Sequence, residues 1–420
     1  MPKLTGRINT KPCIKIYEYE LLRVGERKNG YTFTESDWHE LLIFNERRYP
    51  PIFQIVHRGI KALHYVGFIE TSRLTLEILP KTSIREQQDH RQLLCQMLEI
   101  CGEIPKSKSP AKLSTHAYHV NEFIFGQFLN EVEILSQKGL ANAYHYEESN
   151  NNKFRGKLIV SEHIRRNYAN KQRSYTSFQK QDGQHLLNAI IATALQFTLS
   201  RLDQVELHKK ARQLIGFFST QRILNPKDIC WRDIHLGREQ IRYAAALQWS
   251  RLILKTYGPL HKQGQFISPN FLYDAQRLFE QVVAKLLSIA AEKRGYKITL
   301  QASQAFWRKR KLKPDMVLRV SEGETIILDT KWKLLNHGQP DESDLKQMYI
   351  YNRFFNAQRG VLIYPRSEHV PTHELNYREP YHDGLHCEIL YVNLQGKSGN
   401  FNYNLGEEIM INLLENPPLP

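Results

Sequence analysis

The chain has 420 residues, 41% of them hydrophobic and 24% charged, enough for two or three packed cores, and a formal net charge of +15. Its five cysteines, Cys13, Cys95, Cys101, Cys230 and Cys387, form an odd set without a Cys-x-x-Cys pair, which argues against a disulfide framework and a structural zinc site. No run approaches the ~18 apolar residues of a membrane span, and Met1 to Gly6 lacks the apolar core of a signal peptide, so a soluble, cytoplasmic protein without membrane contact is expected.

Taken in chain order, residues 1–85 read mostly as strand, over 14–17, 53–56, 61–69 and 74–79, with one helical stretch near 38–45. A short helix follows after 90, then a Pro/Ser/Lys linker at 105–110 that marks the clearest boundary. An amphipathic helix over 118–138 closes at Gly139, strands or loops run to about 162, and 184–202 and 208–218 are helical. A second loop-rich junction spans 259–269. Residues 271–295 then place Leu272, Ala275, Leu278, Phe279, Val282, Val283, Leu286, Leu287 and Ala290 at helical spacing before Gly295. The predicted organisation is an α+β multidomain chain: a β-rich region 1–104, a basic and mainly helical region 114–258, and an α/β domain 266–420.

The charge is not spread evenly. By count it is +1 over residues 1–150, +12 over 151–255 and +2 over 256–420. Concentrated positive charge suits a surface that follows a phosphate backbone, so Lys153, Arg155, Lys157, Arg165 and Arg166 are candidate DNA contacts, with Tyr168 and Tyr175 interleaved. A solvated face, or one that meets an acidic protein, would have the same composition. A second basic run, Arg308, Lys309, Arg310, Lys311 and Lys313, leads directly into Pro314 and is a DNA-contact candidate by its position.

Pro314-Asp315 begins that position's significance. Residues 314–320 alternate apolar side chains, Gly323 lies in a turn, and 325–331 return as a second strand carrying Asp329 and Lys331. Because strand residues two apart share a face roughly 6–7 Å from each other, the Asp329 carboxylate and the Lys331 ammonium point into one space. Two acids to hold a divalent cation and an ammonium beside them are what hydrolysis of a phosphodiester requires. Glu280 lies at the margin of the apolar face of the 271–295 helix, where a half-buried carboxylate needs a cation or a donor; a salt bridge to Lys285 or Lys293 would serve equally. A further helix over 341–357, with Asp341 or Ser343 as its N-cap, contains Gln347.

The order Phe279-Glu280, Pro314-Asp315, Asp329-Thr330-Lys331-Trp332-Lys333 and Gln347-Met348-Tyr349 resembles the PD-(D/E)xK nuclease superfamily and, within it, the McrC family, the nuclease subunit of McrBC-type restriction systems. Segments 62–69, 74–81, 138–140, 154–158 and 185–188 are also similar to that family, so the resemblance runs from about 50 to about 365. It leaves the first 50 residues and the tail after Arg366 without a placed motif. The resemblance implies a restriction-endonuclease-like domain with a mixed central sheet and an Mg2+-dependent endodeoxyribonuclease, with Mn2+ as a substitute metal, that cuts double-stranded DNA bearing modified cytosine in defence against phage. Asp315, Asp329 and the Thr330 carbonyl would hold the metal, Glu280 would complete its shell, Lys331 would orient or deprotonate the attacking water, and Gln347 would position Lys331 or the phosphate.

No Gly-x-x-x-x-Gly-Lys-Ser/Thr loop occurs, so the GTP hydrolysis of such systems is expected on a separate AAA+ GTPase subunit, McrB-like, and no nucleotide site is expected in this chain. The nearly neutral amino-terminal region, rich in apolar strand segments, is the part expected to attach it. Two other functions fit the composition: a stand-alone or sequence-specific restriction or repair nuclease, and a non-catalytic GTPase-activating assembly subunit. The intact Asp315, Asp329 and Lys331 argue against the latter.

Overall fold

The computed structural model describes residues 11–81, 90–106, 119–182, 185–202, 204–257, 270–321, 324–333, 335, 339–366, 376–396 and 400–414. Most of the predicted 105–110 linker and all of the 259–269 junction lie outside them. The elements in order are β1 (Cys13–Tyr17), β2 (Leu21–Arg23), β3 (Arg27–Lys28), β4 (Tyr31–Thr32), α1 (Glu35–Glu46), β5 (Phe53–Val56), β6 (Gly59–Ala62), β7 (Tyr65–Glu70), β8 (Thr75–Leu79), α2 (His90–Cys101), α3 (Val120–Gln137), β9 (Ala143–Asn151), β10 (Lys157–Leu158), α4 (Val160–Asn167), β11 (Ser174–Asp182), α5 (Leu186–Leu199), α6 (Val205–Phe217) and α7 (Ala244–Tyr257). They continue with β12 (Asn270–Asp274), α8 (Ala275–Lys293), β13 (Lys297–Leu300), β14 (Gln304–Trp307), β15 (Arg310–Leu312), β16 (Met316–Ser321), β17 (Glu324–Thr330), α9 (Glu342–Phe354), β18 (Arg359–Pro365), β19 (Asn376–Pro380), β20 (His386–Val392) and α10 (Leu405–Leu414). No helix among the described residues is long and apolar enough to cross a membrane.

The chain folds as two compact units, one from residues 122–267 and the other from 11–121 with 268–420. This departs from the expected division at 1–104, 114–258 and 266–420. Residues 11–104 are not a module apart from the carboxy-terminal segment, because β12 pairs antiparallel with β7 and completes the four-stranded sheet β1-β8-β7-β12. Residues 271–274, read from periodicity as the start of a helix, are therefore strand. Three apolar residues, Phe271 to Tyr273, do not separate the two periods, and a partner strand some 200 residues away decided between them. The contact is close: Gly67 has φ +128, and a Cβ there would lie 1.8 Å from the Phe271 carbonyl oxygen.

In this second unit the amino-terminal core gathers Ile14, Ile16, Leu22, Phe33, Leu41, Phe53, Ile60, Ile69, Leu76 and Ile78, between the four-stranded sheet and the sheet β2-β6-β5. Helix α1 is fixed at its start by a capping box: Thr34 Oγ1 accepts from Asp37 N at 3.3 Å and Asp37 Oδ2 accepts from Thr34 N at 2.9 Å. The remaining sheet has six strands in the order β13-β16-β17-β18-β20-β19, with β17, β18 and β20 mutually parallel and the others antiparallel. This is the mixed sheet that was expected. The tail after Arg366, for which the sequence offered no motif, supplies two of its strands and α10.

The other unit carries the helices expected of it, and also a three-stranded antiparallel sheet, β10-β11-β9, in which β11 answers to no predicted element. Its interior holds a small polar node, where Tyr243 Oη donates to Asn188 Oδ1 at 2.7 Å and Asn188 Nδ2 donates to the Ala141 carbonyl at 2.8 Å. Each buried polar atom finds a partner there, as burial demands.

Candidate active site

The site is built at the ends of β16 and β17. Met316 pairs with Leu328, so the hairpin read from sequence forms with Asp315 immediately before one strand and Asp329 near the end of the other. Ile326, Ile327 and Leu328 are fully buried, each worth ~1.5–3 kcal/mol, and they hold the following Asp329-Thr330-Lys331 segment against the sheet. Asp315 Oδ2 accepts from both the backbone N–H and the hydroxyl of Thr330, each at 2.7 Å, which joins the two strand ends and sets the two acids side by side.

Asp329 is only 3% exposed. Burial, then the neighbouring Asp315, raise its pKa above the ordinary carboxylate value, against the pull of Lys331. Lys331 Nζ lies 2.7 Å from Asp329 Oδ2, which places the two side chains on one face as the period-two argument requires. The same nitrogen donates to Gln347 Oε1 at 2.8 Å and stands 3.7 Å from Asp344. Burial works to lower the Lys331 pKa, Asp329 and Asp344 outweigh it, and the net direction is upward. Lys331 is thus held as an ammonium.

Gln347 in turn donates to Tyr351 Oη at 2.8 Å, and Tyr351 Oη donates to the Lys313 carbonyl at 3.2 Å. A continuous chain of hydrogen bonds therefore leads from Lys331 back to the segment entering Pro314-Asp315. Glu280, on α8, accepts from Gln301 Nε2 at 2.6 Å; neither Lys285 nor Lys293 is its partner. Burial and then Asp315 raise its pKa, and it lines with Asp315, Gln276 and Gln301 a cleft of ≈ 950 Å3. Helix α8 is aimed at this cleft by its N-cap, where Asp274 Oδ1 accepts from Arg277 N at 3.1 Å.

The five catalytic candidates, Asp315, Asp329, Lys331, Glu280 and Gln347, are thus brought together. The Thr330 carbonyl differs from its expected place, since it accepts from Gln276 Nε2 at 2.6 Å and one of its lone pairs is committed within the protein. Gln276 also accepts from Trp332 N at 2.7 Å, so one amide clamps the backbone on both sides of Lys331. Trp332 Nε1 donates at 2.8 Å to Glu18, a carboxylate 1% exposed whose pKa burial raises to about 7. Sequence reasoning missed Gln276, Trp332 and Glu18, and also Asp344 and Tyr351. A signal existed for the last two, three residues before and four after Gln347 on one helix face.

The DNA-contact candidates divide. Lys153, Arg155 and Lys157 are exposed and make no ion pair among the described residues. Arg165 and Arg166 both bond Glu162, each at 2.8 Å, and Arg166 lies 4.8 Å from the centre of the Tyr175 ring. Arg308, Lys309, Arg310, Lys311 and Lys313 form and follow the exposed hairpin β14–β15.

A family model described as McrBC 5-methylcytosine restriction system component matches residues 60–365. The chain belongs to this family. Among solved structures, this McrBC family member is similar to a chain from a refined half-complex of the tetradecameric assembly of Thermococcus gammatolerans McrB AAA+ hexamers with bound McrC, at 18% identity, TM-score 0.78, over 96% of this chain and 99% of that one. A chain of the Thermococcus gammatolerans McrBC complex is also similar, at 19% identity and TM-score 0.51 over 66% of this chain and 88% of that one. No curated protein matches it.

Proposed function

We propose that this chain is the DNA-cutting subunit of a GTP-dependent restriction system acting on DNA with modified cytosine, a metal-dependent endonuclease of the PD-(D/E)xK kind. The observation that carries the reading is the convergence of Asp315, Asp329 and Lys331 at one end of a buried hairpin beside an open cleft. A buried carboxylate set against a second one costs energy that a purely structural role does not return.

A divalent cation fits this donor set. Mg2+ prefers hard oxygen ligands and a site completed by water, and Asp315 and Asp329 would hold it, with Glu280 reaching from the cleft wall. When bound it would polarise the phosphate and lower the pKa of a coordinated water. The chain's own residues do the rest. Lys331, kept charged by Asp329 and fixed by Gln347, orients the attacking water and offsets charge on the phosphate oxygens; its raised pKa favours this over the role of base. Gln276 holds the backbone around Lys331, and Tyr351 holds Gln347.

The partner in this reading is an AAA+ GTPase. The solved assembly with the similar fold pairs McrB AAA+ hexamers with McrC, and the nearly neutral region 1–104 is assigned the contact. Exposed Tyr49 and Ile55 lie within it, so Tyr49→Glu with Ile55→Glu should abolish co-purification with that GTPase; unchanged co-purification would place the contact elsewhere. For the active site, Asp329→Ala and Lys331→Ala should each lower Mg2+-dependent cleavage by ~10^3-fold or more while DNA affinity and the melting temperature are retained. Wild-type rates in either variant would remove the site.

A further inference from the structure

The hairpin β14–β15 stands largely in solvent. Every residue of β14 is exposed and β15 is exposed except at Leu312, the one residue of the two strands that packs against the core of the six-stranded sheet. Such a hairpin is marginal alone. It is anchored at its base, where Leu312 packs against that core and the Lys313 carbonyl accepts from Tyr351 Oη, and along β14 Phe306 meets Phe354 of α9 edge-on with ring centres 5.4 Å apart. Its tip is left in water. Trp307 is 57% exposed, and the Arg308 guanidinium lies 5.0 Å from its ring centre.

The turn itself is chosen against local preference. Arg308 takes φ +49 at the first position of a two-residue turn, where glycine would be relaxed. Arg58 takes the same φ at the β5–β6 turn but is met by Glu35, whereas Arg308 has no carboxylate partner among the described residues. None of Arg308, Lys309, Arg310, Lys311 and Lys313 is in an ion pair among the described residues. Exposed indole flanked by unpaired guanidinium groups is the chemistry that recognises nucleic acid: the ring stacks on a base of any sequence and the cations take the phosphates.

We propose that this hairpin is a base-stacking wedge, which sets Trp307 against a DNA base close to the phosphate being cut. Trp307 pairs with Arg310 across the hairpin, and the five residue steps from Arg310 to Asp315 span at most roughly 17 Å, so the stacked base lies within about five or six base pairs of that phosphate. The inference rests on the reading of the chain as a DNA nuclease and adds to it a residue that touches bases rather than phosphate. The hydrogen-bond chain Lys313–Tyr351–Gln347–Lys331 gives the wedge a physical connection to the catalytic ammonium.

The test uses the full chain with Ca2+ in place of Mg2+ to withhold cutting, and duplexes carrying a single 2-aminopurine at successive positions across the bound footprint. Unstacking should raise fluorescence several-fold at one or two adjacent positions. Trp307→Ala should abolish that rise while the dependence of affinity on salt is unchanged, and Trp307→Phe should restore part of it. Arg308→Ala with Arg310→Ala should instead flatten the salt dependence, by about 0.9 of log-log slope per lost contact. An equal signal from Trp307→Ala, or none from the wild type, would overturn the wedge. Wild-type cleavage in Mg2+ with the GTPase partner and GTP present, without any 2-aminopurine signal, removes the wedge and leaves the nuclease reading; a Trp307-dependent signal from a chain that never cuts under those conditions does the reverse.

Discussion

The two units differ in where most of their charge lies. In the unit built from residues 122–267 the basic charge is on the surface: Lys153, Arg155 and Lys157 stand in water without carboxylate partners among the described residues, and although Glu122 and Glu131 are buried, the polar node at its interior, Asn188 with Tyr243, is neutral. In the unit built from 11–121 and 268–420 acids are driven inward. Glu18, Asp329 and Asp344 are all buried, and each is met by a specific donor or cation. The first arrangement suits a long-range field acting on a polyanion, which needs no fixed geometry. The second suits chemistry, which needs fixed geometry and accepts the energetic cost of burying charge.

The comparison implies that the second unit is one cooperative body, and the most drastic way to break it is to divide it. A boundary at the 105–110 linker would let residues 105–420 survive as a soluble fragment. The pairing of β12 with β7, together with the packing of α2 on α8, reverses that expectation. Removing 1–104 strips β12 of its only neighbour in the sheet and uncovers one side of the helix that bears Glu280. The fragment should be insoluble or molten, lacking a cooperative melt and all cleavage; a sharply melting fragment that still binds Mg2+ would show that the amino-terminal region is separable after all. Gly67→Ala probes the same seam with one methyl group and should unfold the unit at lower temperature.

Glu18 tests the seam electrostatically. Burial raises its pKa from 4.5 to about 7, so as pH rises the unfolded chain loses this proton before the folded one does. Stability therefore falls as pH rises from about 4.5 through about 7, and the full penalty, on the order of 3 kcal/mol at most, is present above that window. Glu18→Gln keeps an acceptor for Trp332 Nε1 and abolishes the titration. Melting curves at pH 5 and pH 8 should show the variant little changed at the lower pH and more stable than wild type at the higher. Equal destabilisation at both values would mean that Glu18 is held charged by something else.

Much of the β16–β17 hairpin was legible because its information is local. Alternation over 314–320 and the apolar run 326–328 after the Gly323 turn mark both strands, and a period of two fixes that Asp329 and Lys331 share a face. Gln347, Tyr351 and Asp344 are one helix face, and the first of them came from resemblance while the other two could have come from spacing. Gln276 and Glu18 could not. Their partners are 54 and 314 residues away, and no period or composition encodes such a pairing. For the same reason the domain division was misplaced: a linker rich in Pro, Ser and Lys signals that the chain turns outward, but it does not say which earlier strand the chain returns to.

Gln276→Ala measures how much that distant clamp is worth. The variant leaves the Thr330 carbonyl and the Trp332 N–H without their side-chain partner on either side of Lys331, and cleavage should drop by about 10- to 100-fold, since small displacements of a positioned group cost this much. DNA affinity should be unchanged. Gln276→Glu still accepts from Trp332 N–H but cannot donate to Thr330, and should fall between the two. A loss carried entirely by weaker DNA binding would make Gln276 a contact rather than a positioning residue.

The smallest effect concerns the basic unit and sharpens what its charge is for. Arg165 and Arg166 share the Glu162 carboxylate, which lowers its pKa, whereas Lys153, Arg155 and Lys157 have no ion-pair partner among the described residues. An arginine already paired on the surface must give up that partner, or share it, before it displaces a counterion from a phosphate. Lys153→Ala with Arg155→Ala and Lys157→Ala should then flatten the log-log dependence of affinity on salt by up to about 0.9 per residue. Arg165→Ala with Arg166→Ala should flatten it by less per residue, and Glu162→Gln should steepen it by freeing both. Binding isotherms over a range of salt, on two unrelated duplex sequences, read all three variants at once. Identical slopes throughout would mean that this face meets something other than a phosphate backbone, and an acidic protein surface would then be the reading of its charge.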